Sequence, residues 1–179
     1  MSANEDETRE VTTLHPDFAD EVRRRPGGEH IYACFQCGTC TAGCPVAEIN
    51  PDYNPRQIIH KALLGLDDDL LKSETIWLCS MCYTCEERCP QDVRLTDVIT
   101  ALKNLAVERG YVPAGFKKQA ELVYQYGRIY EITDFDNKRR SKRMGLPEIE
   151  QRAETVRQLF ANYKFKEEFE ATAEEGEKK

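Results

Sequence analysis

The sequence has little of what marks membrane, secreted or nucleotide-binding proteins. No run approaches the roughly 18 consecutive apolar residues that a spanning helix needs, and the mean hydropathy is −0.64. Residues 1–18 are polar and acidic, without the basic start and apolar stretch of a secretory signal. Neither a GxGxxG nor a GxxxxGKS/T motif occurs. We therefore expect a cytoplasmic protein with no flavin, nicotinamide or ATP site of its own.

Basic residues are fewer than acidic ones, 25 against 32, and the net charge is −7. This balance gives no electrostatic footprint for nucleic acid. We expect neither nucleic acid nor a membrane among the partners. A chain of 179 residues, 40% hydrophobic and 32% charged, is typical of a soluble globular protein with one compact domain and extensions.

The cysteines, by contrast, follow one strict pattern. They form two copies of CxxCxxCxxxCP, which contain Cys34, Cys37, Cys40 and Cys44 before Pro45, and Cys79, Cys82, Cys85 and Cys89 before Pro90. Disulfides are not expected in a reducing compartment. Structural zinc usually takes two CxxC knuckles or mixed Cys and His ligands, so the triple run followed by CP favours iron–sulfur clusters.

The spacing also predicts which cysteines share a cluster. In two-cluster ferredoxins with this run, the fourth cysteine of each motif ligates the other cluster. The predicted ligand sets are Cys34, Cys37, Cys40 and Cys89 for the first [4Fe–4S] cluster and Cys79, Cys82, Cys85 and Cys44 for the second. Clusters held by shared segments lie close together, which favours electron relay over a purely structural or sensing role. No cysteine remains as a redox thiol, so we predict no catalytic residue.

Helix signals surround the motifs, whereas strand-length alternations with hairpin turns are missing. Asn54 and Pro55 start a predicted helix that Gly65 ends. Further helices are predicted over 69–78, over 97–109 with Thr96 as its cap, and over 113–126. We predict an all-α fold, an α-helical ferredoxin-like domain with a helical C-terminal extension.

The two ends differ from the centre. Residues 134–143 are highly charged, Leu146 and Pro147 are expected to open a last helix, and residues 171–179 form a charged tail that we expect to be mobile. The first ~25 residues are expected to become ordered on a partner. The predicted division is an N-terminal arm over 1–28, the cluster domain over 29–130 and the extension over 131–179.

A few residues outside the cysteine motifs have two interpretations. The basic run 138–143 could dock an acidic partner, but a solvated loop is favoured. Tyr124, Tyr126 and Tyr130 could mark an electron exit, but helix packing is favoured. His60 is expected at the surface. Trp77, two residues before Cys79, is expected to shield a cluster or to pack in the core.

The wording of the two motifs, CFQCGTCTAGCP and CSMCYTCEERCP, resembles the C subunit of heterodisulfide reductase of the soluble methanogen type. The similarity runs over roughly Ile31 to Tyr130, and it includes the Asn54-Pro55-Arg56 helix start and the Trp77-Leu78 approach to the second motif. Neither the N-terminal arm nor the charged C-terminal third matches a motif of that family.

The resemblance implies an electron-transfer subunit that converts no substrate itself. In that family, the C subunit passes electrons from a flavin-bearing A subunit to the B subunit, whose CCG domains hold the clusters that reduce the mixed disulfide of coenzyme M and coenzyme B. It also implies a larger complex with a hydrogenase or formate dehydrogenase. The alternatives are the iron–sulfur subunit of another anaerobic dehydrogenase or reductase (glycerol-3-phosphate, glycolate or lactate, or fumarate type), a redox sensor, and a free electron carrier.

Overall fold

The computed structural model describes residues 14–150 and 152–161, and in these residues it contains helices and no strand. The α-helices are α1 Phe18–Arg23, α2 Thr39–Ala42, α3 Pro45–Ile49, α4 Pro55–Leu63, α5 Asp67–Leu71, α6 Thr84–Glu87, α7 Leu95–Glu108, α8 Ala114–Tyr126, α9 Asp134–Met144 and α10 Ala153–Ala161. Two 3-10 helices, Ile31–Ala33 and Glu74–Leu78, precede the cysteine motifs. The predicted all-α fold is confirmed.

The helices belong to two units, the first reaching Ala106 and the second starting at Val107. The first unit contains both cysteine motifs and most of the buried side chains. Within the described ranges, none of the helices is long and apolar enough to cross a bilayer.

Helix α4 begins and ends as the sequence predicts. The Asn54 side chain accepts a hydrogen bond from the Gln57 N–H at 3.1 Å, and Pro55 occupies the first helical position. Ile58 and Ile59 point into the core at 2% and 1% exposure. After the helix, Gly65 takes a φ of +76° that reverses the chain.

The stretch after α4 is not the single helix predicted over 69–78. It forms α5 and then the 3-10 helix Glu74–Leu78, with Ser73 between them. The Ser73 hydroxyl oxygen accepts from the Thr75 N–H at 3.0 Å and so starts a new helix. The second helix delivers Trp77 and Leu78 to the second motif, as expected.

Helix α7 is 14 residues long and has eight buried residues. One face contributes Val98, Ile99, Leu102 and Leu105, each at most 1% exposed, which matches the predicted helical spacing. The helix begins at Leu95, so the prediction that Thr96 caps it is wrong. Thr96 lies inside the first turn and is 1% exposed.

The N-terminal segment is more ordered than the sequence suggests. Helix α1 packs against α4, and Phe18, Ala19 and Val22 are buried in the core. The expectation that the first ~25 residues stay unordered without a partner is therefore wrong for residues 18–23. Residues 1–13 and the predicted tail 171–179 lie outside the described residues.

In the second unit, α8 packs against α10. The rings of Tyr124 and Phe160 stack with centroids 6.0 Å apart, and the Arg157 guanidinium lies 5.8 Å from the Tyr124 ring centroid while donating to the Gln125 carbonyl. Tyr124 and Tyr126 are half-buried, in agreement with helix packing. Tyr130 is 55% exposed, so the prediction that it packs half-buried between helices is wrong.

The charged segment of the second unit is a helix, not the solvated loop that was favoured. Residues 134–144 form α9, whose first turn is fixed by a capping box between Thr133 and Asp136. The hydrogen bonds of the capping box stabilise the helix. The side chains of the basic run 138–143 are exposed or half-buried, and water weakens the repulsion among their charges. Leu146 and Pro147 do not open a helix either, and the last helix starts at Ala153.

Candidate metal centre

The two cysteine motifs share one backbone path. In each, a 3-10 helix leads to the first cysteine, and a short helix, α2 or α6, contains the third. The residue before the second cysteine is left-handed in both copies, with a φ of +63° at Gln36 and +54° at Met81. The residue after the second cysteine is also left-handed, with +82° at Gly38 and +61° at Tyr83. The backbone conformation is thus repeated even where the residue type is not.

Each motif is tied to the first turn of a helix that follows it. In the first copy, the Thr41 hydroxyl accepts from the Arg56 N–H at 3.0 Å and donates to Asn54 Oδ1 at 2.9 Å. In the second, Glu86 Oε1 accepts from the Thr96 N–H at 3.1 Å. These bonds fasten α2 to α4 and α6 to α7, and α2 and α6 contact each other. The two motifs are therefore held face to face.

A cavity that is open to solvent lies between the motifs. Five cysteines line it: Cys34, Cys37, Cys40, Cys85 and Cys89. Its other walls include the apolar residues Ile59, Val93 and Leu95, one cation, Arg56, and no carboxylate. All four predicted ligands of the first cluster therefore meet at one cavity, and this donor set suits a sulfur-ligated iron cluster.

Polar groups reach the sulfurs around this cavity. Gln36 Nε2 lies 3.3 Å from Cys34 Sγ, Thr39 Oγ1 lies 3.3 Å from Cys37 Sγ, and the Val93 N–H donates to Cys89 Sγ at 3.4 Å. Hydrogen bonds to cluster sulfurs are one of the factors that set reduction potential. The Gln36 amide therefore donates a hydrogen bond to a predicted cluster ligand.

The second set has its own polar neighbours. Thr84 Oγ1 lies 3.4 Å from Cys82 Sγ, and Thr96 Oγ1 lies 3.4 Å from Cys85 Sγ. Tyr53 is buried, and burial together with a hydrogen bond to Cys79 and the nearby Cys44 and Cys85 raises the pKa of its phenol. Tyr53 therefore lies among three of the four predicted ligands of the second cluster.

The thiols differ according to their exposure. The Thr39 hydroxyl lowers the pKa of Cys37, and the Thr84 hydroxyl lowers the pKa of Cys82. Burial raises the pKa of Cys40 and Cys85. Since a thiolate is the metal ligand, Cys37 and Cys82 form it more readily than Cys40 and Cys85 do.

Cations and aromatic rings complete the surroundings. Lys103 Nζ lies 5.9 Å from the centroid of the Trp77 ring, and burial lowers the pKa of Lys103 although Cys79 acts in the opposite direction. The Arg88 guanidinium lies directly over Gly43, where a Cβ would be 2.5 Å from it. Trp77 is half-buried here, while His60 is exposed as expected.

Sequence reasoning found the cysteines but missed Tyr53, Gln36 and the role of Thr96. Tyr53 and Thr96 reach the sulfurs through tertiary packing, so no motif marks them, whereas Gln36 lies inside the first motif and contacts Cys34 two residues away. The matching positions of Thr39 and Thr84 were a usable signal, since each lies two residues after a ligand and faces it. The assignment of individual ligands to clusters stays a prediction.

Comparison with known proteins agrees with this geometry. Residues 30–93 match the family model of the 4Fe-4S dicluster domain. The iron-sulfur C subunit of CoB–CoM heterodisulfide reductase from Methanopyrus kandleri is 38% identical over 76% of this chain and 73% of its own length. The C2 subunit of H(2)/formate:CoB–CoM heterodisulfide, ferredoxin reductase from Methanococcus maripaludis is 38% identical over 86% of this chain and 90% of its own length.

A third relative, the iron-sulfur subunit of CoB–CoM heterodisulfide reductase designated C 2 in Methanocaldococcus jannaschii, is 40% identical over 75% of both chains. The chain belongs to the family of heterodisulfide reductase C subunits. As such a C subunit it carries two [4Fe–4S] clusters and has the electron-transfer role of an iron–sulfur subunit in an oxidoreductase. The family resemblance noted in the sequence and the predicted cofactors are thereby confirmed.

Proposed function

We propose that this chain relays electrons between two other subunits of a cytoplasmic heterodisulfide reductase complex. A flavin-bearing A subunit supplies the electrons, and a CCG-domain B subunit uses them to reduce the mixed disulfide of coenzyme M and coenzyme B in methanogenesis. The names of the relatives from Methanopyrus and Methanococcus support this substrate. A hydrogenase or formate dehydrogenase is the proposed source of electrons for the whole assembly.

The observation that carries the relay is the meeting of first-motif cysteines with Cys89 at one cavity. It supports crossed ligation, with Cys34, Cys37, Cys40 and Cys89 as one set and Cys79, Cys82, Cys85 and Cys44 as the other. Crossed sets place the two clusters side by side, which is what rapid transfer between them requires. We propose that the chain itself contributes no catalytic residue.

The chain's own residues then have three tasks. The cysteines hold the clusters as thiolates, the apolar walls such as Ile59 and Leu95 exclude water, and the hydroxyl and amide donors stabilise negative charge on sulfur. The bound clusters supply the one-electron chemistry. No proton needs to move for electrons to pass.

Crossed ligation predicts an unusual pattern of mutational effects. Cys89→Ser should change the same EPR signal as Cys34→Ser, despite the distance between the two residues in sequence, because both belong to the first set. Cys44→Ser should instead change the signal that Cys79→Ser changes. Iron analysis and anaerobic EPR of the four variants test this. If Cys89→Ser matched Cys79→Ser, the crossed assignment would be wrong.

The complex itself is tested by anaerobic purification of the tagged chain from its native host, followed by mass spectrometry of stoichiometric companions. A flavoprotein together with a CCG-domain protein supports the proposal. A dehydrogenase flavoprotein without a CCG-domain companion would move the chain to another anaerobic reductase. Recovery of a stably folded monomer without companions would indicate a free carrier.

A further inference from the structure

The third cysteines of the two motifs, Cys40 and Cys85, occupy equivalent positions but have different neighbours. Near Cys40 Sγ the Thr41 hydroxyl is 4.0 Å away and donates to Asn54 Oδ1 at 2.9 Å. Near Cys85 Sγ the Thr96 hydroxyl is 3.4 Å away. The two motifs therefore differ at the third cysteine, since the sulfur of Cys85 has a hydroxyl of helix α7 beside it.

Thr96 is held so that its hydroxyl faces the sulfur. The residue is 1% exposed, its N–H donates to the Glu86 carboxylate, and its carbonyl accepts from the Thr100 hydroxyl at 2.9 Å. These backbone bonds fix the first turn of α7. A ligating cysteine is a thiolate and can only accept, so the Thr96 hydroxyl is the donor in the loaded protein.

Cys85 also belongs to the surroundings of both predicted clusters. It belongs to the predicted second set, and it lines the cavity of the first set as well. A predicted ligand of the second set therefore adjoins the cavity that the first set lines. A hydrogen bond donated to Cys85 would act on this ligand of the second set.

We propose that Thr96 raises the reduction potential of the second cluster by donating a buried hydrogen bond to Cys85. The inference rests on the proposed ligand sets. Reduction adds one electron and no proton, and the added negative charge is shared by the thiolate sulfurs. A donor at Cys85 stabilises the reduced state more than the oxidised one. Thr96 itself is 1% exposed, so bulk water has little access to the place that its hydroxyl occupies.

The test is an EPR-monitored redox titration of the loaded chain with four threonine variants. Thr96→Val removes the hydroxyl but keeps the shape, and it should lower the reduced-to-oxidised ratio of one cluster about three- to tenfold at fixed potential, equivalent to roughly 30–60 mV for a one-electron couple. Thr96→Ser should restore the wild-type value. Thr155→Val, at an exposed position of α10 in the second unit, should leave both potentials unchanged.

Thr84→Val removes a hydroxyl from the same set at the exposed Cys82. It should shift the potential less than Thr96→Val does, since water replaces the lost donor. A second readout is the iron–sulfur stretching band in resonance Raman spectra. This band should move on transfer to D₂O in the wild type and the serine variant, with a smaller movement in the valine variant.

The outcomes separate the two proposals. Equal potentials and equal D₂O shifts for Thr96→Val and Thr155→Val would overturn the role of Thr96. A shift in the cluster whose signal changes in Cys34→Ser, rather than in Cys79→Ser, would leave the hydrogen bond in place but overturn the ligand sets. If the valine variant lost its iron, Thr96→Ala would carry the same titration, with the same results deciding it.

Discussion

At the scale of single residues, several glycines mark places where another segment comes too close for a side chain. A Cβ at Gly65 would lie 2.2 Å from the His15 carbonyl oxygen, and one at Gly28 would lie 1.9 Å from the Val22 carbonyl oxygen. Both neighbours are backbone atoms, which cannot turn aside as a side chain can. Gly65 also needs its left-handed φ to end α4.

We therefore expect Gly65→Ala to lower the free energy of unfolding of the first unit by about 2–4 kcal/mol. Part of the loss comes from the left-handed backbone and the rest from displacing residues 14–16. Anaerobic denaturant titration of the loaded protein measures it. Gly115→Ala is the matched control, because a Cβ there meets nothing within 4 Å. A similar loss in both variants would contradict this explanation.

At the scale of elements, the helices that contain the third cysteines differ from those behind them. Helices α2 and α6 have four residues each and no buried residue, whereas α7 has 14 residues and eight of them are buried. Four residues make barely one turn, which is not stable by itself in water. The motif helices therefore depend on the ligands and on their bonds to α4 and α7.

Helix α9 is stabilised by local bonds instead. Thr133 donates to Asp136 Oδ2 from its hydroxyl at 2.7 Å and from its N–H at 3.0 Å. These bonds lower the pKa of Asp136 below its usual 3.8. A lowered pKa in the folded state means that the stabilisation is present above the unfolded value and is lost as the pH falls through the folded one.

Thr133→Ala should raise the pKa of Asp136 and move the loss of helix to higher pH. Circular dichroism of synthetic peptides covering residues 130–150, titrated from pH 6 to 2 (about the range over which carboxylates protonate), compares the wild-type and variant midpoints. Ser141→Ala, which lies outside the capping box, should behave as the wild type. Identical midpoints in the two main peptides would argue against the capping box.

At the scale of the whole molecule, the chain divides into a first unit that contains all the cysteines and a second unit that contains none. In the second unit, the stacked Tyr124 and Phe160 join α8 to α10 without any metal ligand. Loss of the clusters should therefore affect the two units unequally.

Removal of iron by anaerobic oxidation and chelation should expose the motif segments first. Hydrogen exchange with mass spectrometry should show faster exchange in residues 34–44 and 79–89, while α7 and α8 keep most of their protection, because α7 retains its buried aliphatic face. The untreated loaded protein is the reference. Uniform loss of protection along the chain would show instead that the clusters hold the whole fold.

The parts of the fold that the sequence predicted are those with local signals. Asn54, Pro55 and Gly65 bounded α4 because capping and turn preferences act over a few residues, and the cysteine spacing predicted the clusters. The contacts of Thr96 with Cys85 and of Tyr53 with Cys79 were missed, since each joins residues more than ten positions apart in the sequence. The basic run 138–143 was predicted to be a loop, because the capping box that starts its helix lies before the run, at Thr133.

The cavity lined by Cys34, Cys37, Cys40 and Cys89 has a consequence for biosynthesis. With crossed sets, Cys34, Cys37 and Cys40 leave the ribosome before Cys89, the fourth ligand of their cluster. Cys44 likewise leaves it before Cys79, Cys82 and Cys85, the other ligands of the second cluster. A nascent chain that ends between the motifs has no complete ligand set. Completion of the first centre must therefore follow the synthesis of Cys89, and neither centre can be completed before the second motif has been made.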